Sequence, residues 1–83
     1  MRLSELMRLE IISSQDGVSL GTVGGSDLVI DSSTGKVVSL VIRERRGLSI
    51  IPKRPRELVI PWRAVKIIGP DVLIVDIPPS NTL

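Results

Sequence analysis

The sequence contains no cysteine and no histidine. Disulfide bonds, thiolate nucleophiles, zinc sites built from Cys and His, and imidazole acid–base catalysis are therefore excluded. No apolar stretch approaches the roughly 20 residues that a transmembrane helix requires. The N-terminal segment MRLSELMRLEII lacks the long apolar core and the small-residue cleavage site of a secretory signal. We therefore expect a cytoplasmic protein with no membrane insertion, no metal and no cofactor.

Aromatic residues are almost as scarce, since Trp62 is the only one and both Phe and Tyr are absent. The apolar fraction is nevertheless 42%, and it consists mainly of Val, Ile and Leu. Side chains of this kind fit a pleated, half-buried surface better than a helix. With 83 residues the chain has the length of one domain. The composition predicts one small, mostly β domain with an aliphatic core.

Apolar periodicity divides the chain into short strands separated by turn residues. Ser4 to Arg8 can form one helical turn with Ser4 as its N-cap. Strands are predicted at 9–14, at 18–30 with glycine interruptions, at 37–43, at 57–61, and at 65–68 and 72–77 as a final hairpin. Five to six strands of this length are typical of a small barrel or roll.

The turns between these strands have recognisable chemistry. Asp16-Gly17 and the segment from Asp31 to Gly35 combine an Asx side chain with a glycine, which favours tight turns. Gly21, Gly24 and Gly25 interrupt the second strand, where glycine usually marks a bulge or a sharp bend. We therefore expect the chain to turn a corner within residues 21–25.

Alternation along the strands predicts which side chains face the core. These are Leu28, Ile30, Val38, Leu40, Ile42, Leu58, Ile60 and Val75. The residues between them should then point outward, although several of them are also apolar. A contiguous exposed apolar patch usually marks an interface, and two-fold pairs are the commonest assembly. We therefore predict a homodimer that buries Val29, Val37, Val41 and Val59.

Charge is concentrated between residues 43 and 66. This segment has eight Lys and Arg against two Glu, a net charge of +6, whereas the rest of the chain carries −4. A solvated loop that keeps the protein soluble is the simpler interpretation. The alternative is a docking surface for an acidic partner. Its candidate partner-binding residues are Arg43, Arg45, Arg46, Lys53, Arg54 and Arg56.

Four other motifs point to structure rather than chemistry. Asp27 and Asp31 share a strand face but lack the further oxygen ligands that a cation site needs. The glycines at 21, 24 and 25 precede a strand, whereas a phosphate-binding loop precedes a helix. Ser32, Ser33 and Thr34 have no neighbouring base to activate a hydroxyl. Trp62 alone is too little for a nucleic-acid-stacking surface, so a barrel plug or rim residue is expected.

The order and spacing of several segments resemble a PRC-barrel domain. They are MRLSEL, DGVSLGTVGGSDLVID, TGKVVSLVI and IPWRAVKIIGPDVLIVDI. The likeness is strongest to a short, stand-alone, sporulation-associated branch of that family, and it spans residues 1–77, with a loose tail at 78–83. The resemblance implies a partly open, SH3-like β-barrel with one N-terminal helical turn. Residues 44–56 depart from the family pattern.

The resemblance also implies a role. PRC-barrel relatives in the photosynthetic reaction-centre H subunit and in a ribosome maturation factor dock on larger assemblies, and the family offers no catalytic residues to transfer. We therefore expect a non-enzymatic, protein-binding adaptor whose partner the sequence does not identify. The alternative is an RNA- or ribosome-associated factor that uses the basic segment 43–66.

Overall fold

Seven β-strands and one helical turn make up the part of the chain that the computed structural model describes, residues 1–43 and 57–77. They are α1 (Leu3–Leu6), β1 (Glu10–Ser13), β2 (Ser19–Thr22), β3 (Asp27–Ile30), β4 (Val37–Arg43), β5 (Glu57–Pro61), β6 (Val65–Ile68) and β7 (Val72–Val75). Two short 3₁₀ turns, Val23–Gly25 and Trp62–Ala64, lie between strands. The predicted mostly-β domain with one helical turn is confirmed.

The strands form two sheets that face each other across the core. Sheet A has the order β2-β1-β7-β6, and sheet B has the order β3-β4-β5. Only β1 and β7 run parallel, and the other pairs are antiparallel. Within the described ranges the two sheets do not join into one continuous sheet. The arrangement agrees with the partly open barrel expected from the sequence.

The predicted long strand at 18–30 is two strands in different sheets. The chain leaves sheet A after Thr22, passes through the 3₁₀ turn Val23–Gly25, and enters sheet B at Asp27. Val23 donates its N–H to the carbonyl of Leu9 (2.9 Å), and Gly24 donates to the carbonyl of Met7 (2.8 Å). These two bonds fix the corner against the segment that precedes β1. The predicted bend is confirmed, and it raises the strand count to seven.

The core consists of aliphatic side chains from both sheets. Its members are Leu9, Ile11, Val23, Leu40, Ile42, Ile60, Leu73, Val75 and Ile77. Leu28 and Leu58 are partly buried and pack against them, as does Trp62. Six of the eight predicted core residues therefore lie in or against the core. Trp62 supports the core from its edge, as expected of a rim residue.

The predictions for Ile30 and Val38 are wrong, because these side chains are 54% and 49% exposed. The pairing of β3 with β4 changes register between Val29 and Ile30, so that Ile30 pairs with Val37 although Val29 pairs with Ser39. Val38 is the extra residue of this bulge. The bulge interrupts the alternation of faces along β4, so Val38 no longer follows the period of two. Ile30 is the last residue of the unbulged strand β3.

The N-terminal turn differs from its prediction at the cap. The N-cap is Arg2 rather than Ser4, which lies within α1. The backbone N–H of Arg2 donates to Glu5 Oε1 at 3.3 Å. Of the apolar residues expected to close this end of the fold, Leu6 packs against the core, but Leu3 and Met7 are exposed.

The turn between β3 and β4 forms as predicted. The Ser33 hydroxyl (2.7 Å) and the Ser33 N–H (2.9 Å) both donate to Asp31 Oδ1. These hydrogen bonds stabilise the carboxylate and lower the pKa of Asp31. Gly35 has a φ of +76°, in the left-handed region that glycine adopts readily. The predicted basic loop at 44–56 and the predicted tail at 78–83 lie outside the described residues.

Leu40→Ala tests the position of the core. Leu40 is fully buried, so the substitution should lower the free energy of unfolding by about 2–5 kcal/mol. Val38→Ala on the same strand is the control, and it should cost less than about 1 kcal/mol because Val38 is exposed. Urea denaturation measures both. Equal losses at the two positions would contradict the bulge.

Gly24→Ala tests the corner. A Cβ atom at Gly24 would lie 2.9 Å from the backbone oxygen of Met7, closer than real contacts allow. The substitution should therefore lower the free energy of unfolding by about 1–3 kcal/mol. Gly25→Ala is the control, because its Cβ would meet only Thr22 Oγ1 at 3.4 Å. Both substitutions reduce the conformational entropy of the unfolded chain equally. The difference between the two variants in the free energy of unfolding, measured by thermal denaturation, therefore reports the steric clash at Gly24. Two equally stable variants would be inconsistent with this geometry.

Candidate protein-interaction surfaces

The outer face of sheet B carries apolar side chains in two neighbouring rows, with the buried Ser39 at the centre of the second row. In one row Val41 pairs with Val59, and in the next Ser39 pairs with Val29 and with Pro61. Cross-strand partners share a face, and positions two apart on a strand do so too. Val29, Val41, Val59 and Pro61 therefore lie together, on the side opposite the buried Leu40 and Ile60; we call these four the valine face.

Two members of the valine face are widely exposed. Val29 is 42% exposed and Val59 is 58% exposed, whereas Val41 and Pro61 are half-buried. The predicted interface residues Val29, Val41 and Val59 are thus brought together. Val37 is not, because the bulge pairs it with Ile30 and so moves it out of this row.

Arg43 lies at one end of the valine face, two positions beyond Val41. Its guanidinium is 3.8 Å from Asp27 Oδ2 and 3.6 Å from Glu57 Oε2, and all three side chains are more than half exposed. Exposed ion pairs of this length contribute little to stability. They do, however, place two carboxylates beside the one predicted partner-binding cation that the structure describes. The other five candidates, Arg45, Arg46, Lys53, Arg54 and Arg56, lie outside the described residues.

A shallow groove of about 390 Å³ lies beside β5. Its apolar lining includes Leu58, Val59 and Pro61 of β5, and its polar lining includes Arg63, Lys66 and Asp76. The N–H of Asp76 donates to the carbonyl of Ala64 at 2.8 Å. This bond holds the 3₁₀ turn Trp62–Ala64 against the end of β7, so the wall that carries the charged side chains is fixed relative to β5.

The charged residues of the groove differ in their partners. Asp76 Oδ1 accepts hydrogen bonds from Gln15 Nε2 (2.9 Å) and from the Ser14 hydroxyl (3.3 Å), on the turn after β1. Arg63 and Lys66 are exposed and form no salt bridge with any residue in 1–43 or 57–77. The groove therefore has two cations available to a ligand, while its one carboxylate is oriented toward the β1–β2 turn.

Sequence reasoning included Arg63 and Lys66 in the basic segment but did not place them beside a strand edge. Their position depends on the packing of sheet A against sheet B, which no local motif encodes. The available signal was Pro61, which predicts the end of β5 and a change of direction before Arg63. Pro61 therefore predicts that the chain changes direction, but it does not predict which strands lie next to the turn.

The acidic residues that the structure describes have structural surroundings. Among the residues that the structure describes, no group of three or more acidic side chains could hold a metal ion. Asp27 pairs with Arg43, and Asp31 is held within its own turn, so both have the turn and surface roles predicted for them. The 3₁₀ turn Val23–Gly25 leads into β3, in agreement with the rejection of a phosphate-binding loop. The described helix is also far too short to cross a membrane.

Comparison with known proteins gives one family and two relatives. The family model described as PRC-barrel domain matches residues 1–81. YmxH of Bacillus subtilis (strain 168) is 33% identical over 78 residues, covering 94% of this chain and 91% of that protein. The probable sporulation protein YlmC of the same strain is 32% identical over 73 residues, covering 88% of each chain. These matches confirm the resemblance inferred from the sequence.

Proposed function

We propose that this chain, which belongs to the PRC-barrel domain family, is a non-catalytic adaptor that binds another protein and acts in sporulation. The link to sporulation comes from the name of one relative, the probable sporulation protein YlmC of Bacillus subtilis. The single observation that carries an interaction role, whether with a second copy or with another protein, is the valine face. A cytoplasmic location stays a prediction from the sequence.

The valine face supports an interaction role because the fold does not need it. Leu40 and Ile60, on the opposite side of the same strands, are fully buried and already belong to the core. Val29 and Val59 remain exposed although Thr, Lys or Glu would serve a solvent-facing strand equally well. Neighbouring exposed apolar side chains on one sheet usually mark a surface that another protein covers.

We propose further that a second copy of the chain covers the valine face. A two-fold axis through this face would place apolar rows against apolar rows. Arg43 at its end is bracketed by Asp27 and Glu57, so contact between two copies need not bury an unpaired cation. A dimer presents every remaining surface twice, which raises the avidity of an adaptor for a multivalent partner.

Val59→Lys tests the dimer. Burying an ammonium group against apolar side chains is unfavourable, so the variant should be monomeric at concentrations where the parent chain is a dimer. Light scattering at micromolar concentration measures the mass, which for one chain is 9.0 kDa. Val41→Lys, on the central strand of the face, should have the same effect.

Val18→Lys is the matched control for this experiment, because Val18 is 51% exposed but lies before β2 in the other sheet. It should leave the mass unchanged. A parent chain that stays at 9.0 kDa as its concentration is raised would rule out the dimer. Circular dichroism shows whether each Lys variant remains folded.

The adaptor role is tested by comparative recovery of partners from sporulating cells. The triple variant Arg45→Glu, Arg46→Glu, Arg54→Glu reverses charge within the basic segment, and it should weaken recovery of an acidic partner. The matched control reverses Arg2, Arg8 and Lys36, which changes the net charge equally but lies outside that segment. Quantitative mass spectrometry of the captured proteins measures the difference.

Two outcomes would contradict the proposal: the first contradicts the use of the basic segment, and the second contradicts the adaptor role itself. Equal recovery by the parent chain and both triple variants would show that the basic segment does not select the partner. Loss of the captured proteins after nuclease treatment would favour the alternative, an RNA- or ribosome-associated factor. The described residues give that alternative less support, because Arg43 is paired with carboxylates and Trp62 packs against the core.

A further inference from the structure

We propose that the outer edge of β5, which pairs with no other strand in residues 1–43 and 57–77, and the groove beside it bind an extended, acidic segment of the partner, which adds a strand to sheet B. This inference rests on the proposed adaptor function and names the chemistry of the partner. It is centred on the edge of sheet B, whereas the proposed dimer interface is centred on the sheet's surface, and the two share Val59 and Pro61.

The edge strands of the two sheets are not equivalent. Within residues 1–43 and 57–77 the edges are β2 and β6 in sheet A, and β3 and β5 in sheet B. The register shifts between β1 and β2, between β3 and β4, and between β6 and β7. A bulge twists an edge and disrupts the regular row of backbone groups, which discourages pairing with another chain. The extra residue lies on the edge strand itself in β2 and β6, which are therefore poorly suited to receive a strand, whereas in the pairing of β3 it is Val38 of the central strand β4.

β5 is the exception. It pairs with β4 in one continuous register over all five of its residues, from Glu57 opposite Arg43 to Pro61 opposite Ser39. In an antiparallel pair, alternate residues direct their N–H and C=O groups away from the partner strand. On β5 these groups form a regular, unbulged row, which is the template that strand addition uses. Pro61 has no N–H and limits the new strand to the residues before it.

The groove beside this edge indicates what the added strand should contain. Leu58 and Val59 of β5 line it, together with the exposed cations Arg63 and Lys66 from the turn and the strand that follow β5. An extended segment presents alternate side chains to opposite sides. A segment that alternates apolar and acidic residues can therefore contact the apolar wall and the cations at the same time, whereas a basic segment would be repelled.

Asp76 is the one acidic residue of the lining, and its contacts reduce its influence. Its Oδ1 accepts hydrogen bonds from Gln15 and Ser14, which lie on the turn after β1. The net charge of the described lining is positive, because it includes the two cations Arg63 and Lys66 and one carboxylate, which already accepts hydrogen bonds. The charge of the groove thus favours an acidic ligand.

A synthetic peptide of about eight residues with alternating valine and glutamate is a suitable probe for a strand-sized site. Trp62 is the only aromatic residue of the chain, and it begins the 3₁₀ turn that borders the groove. Binding should therefore change the intrinsic fluorescence of the full-length protein. A peptide with lysine in place of each glutamate should bind at least about tenfold more weakly, because like charges repel.

The double variant Arg63→Glu, Lys66→Glu should weaken binding of the valine–glutamate peptide by about tenfold or more. Arg8→Glu, Lys36→Glu is the matched control, since it changes the net charge equally at exposed sites outside the groove. Amide hydrogen exchange gives an independent readout. Alternate amides of β5 should exchange rapidly in the free protein and become protected when the peptide is bound.

Four results would overturn the proposal. They are equal binding of the two peptides, equal binding by the double variant and its control, β5 amides already protected without peptide, and β5 protection that grows with protein concentration alone. The third would mean that the chain covers its own edge, and the fourth that a second copy does. If any of these occurs while partner capture still depends on Arg45, Arg46 and Arg54, only the groove assignment fails and the adaptor role stands.

Discussion

The close contact between Gly24 and the backbone of Met7 is the constraint on which the two-sheet arrangement depends. The Gly24 N–H donates to the Met7 carbonyl at 2.8 Å, and a Cβ atom at this position would lie 2.9 Å from the same oxygen. The approach allows the chain to leave sheet A after Thr22 and enter sheet B at Asp27. Without this corner the residues from 19 to 30 would continue as one strand, and Leu40 and Ile60 would lose the opposing layer that buries them.

Bulges then decide which surfaces remain available to other molecules. The bulge on β4 leaves Val38 exposed and pairs Val37 with Ile30, which separates Val37 from the valine face; Ile30, at the end of β3, is exposed as well. The corresponding shift in β6 falls at Lys66, between Val65 and Ile67, and gives that edge both a bulge and a charge. These are the devices by which natural sheets avoid uncontrolled pairing. The edge of β5 differs from these edges, because no bulge interrupts its pairing with β4 within the described residues.

The cations of the basic segment have different environments although they look alike in the sequence. Arg43 lies between Asp27 and Glu57, so its charge is already balanced on the sheet surface. Arg63 and Lys66 instead line a groove in which Asp76, the carboxylate among its described lining residues, accepts hydrogen bonds from Gln15 and Ser14. The net charge of residues 43–66 therefore overstates the positive charge available to a partner, because it counts Arg43 as if it were unpaired. The net charge also does not indicate that Arg63 and Lys66 lie beside a strand edge.

The sequence by itself determined the family, the strands β4 and β5, the turns at Asp16–Gly17 and Asp31–Gly35, and the burial of Leu40, Ile42 and Ile60. These features follow from local periodicity and from the φ preferences of glycine and proline. The tertiary structure decided the division of residues 19–30 between two sheets, the exposure of Ile30 and Val38, and the groove beside β5. Each of these depends on a pairing between distant strands, where a shift of one residue moves every later side chain to the other face.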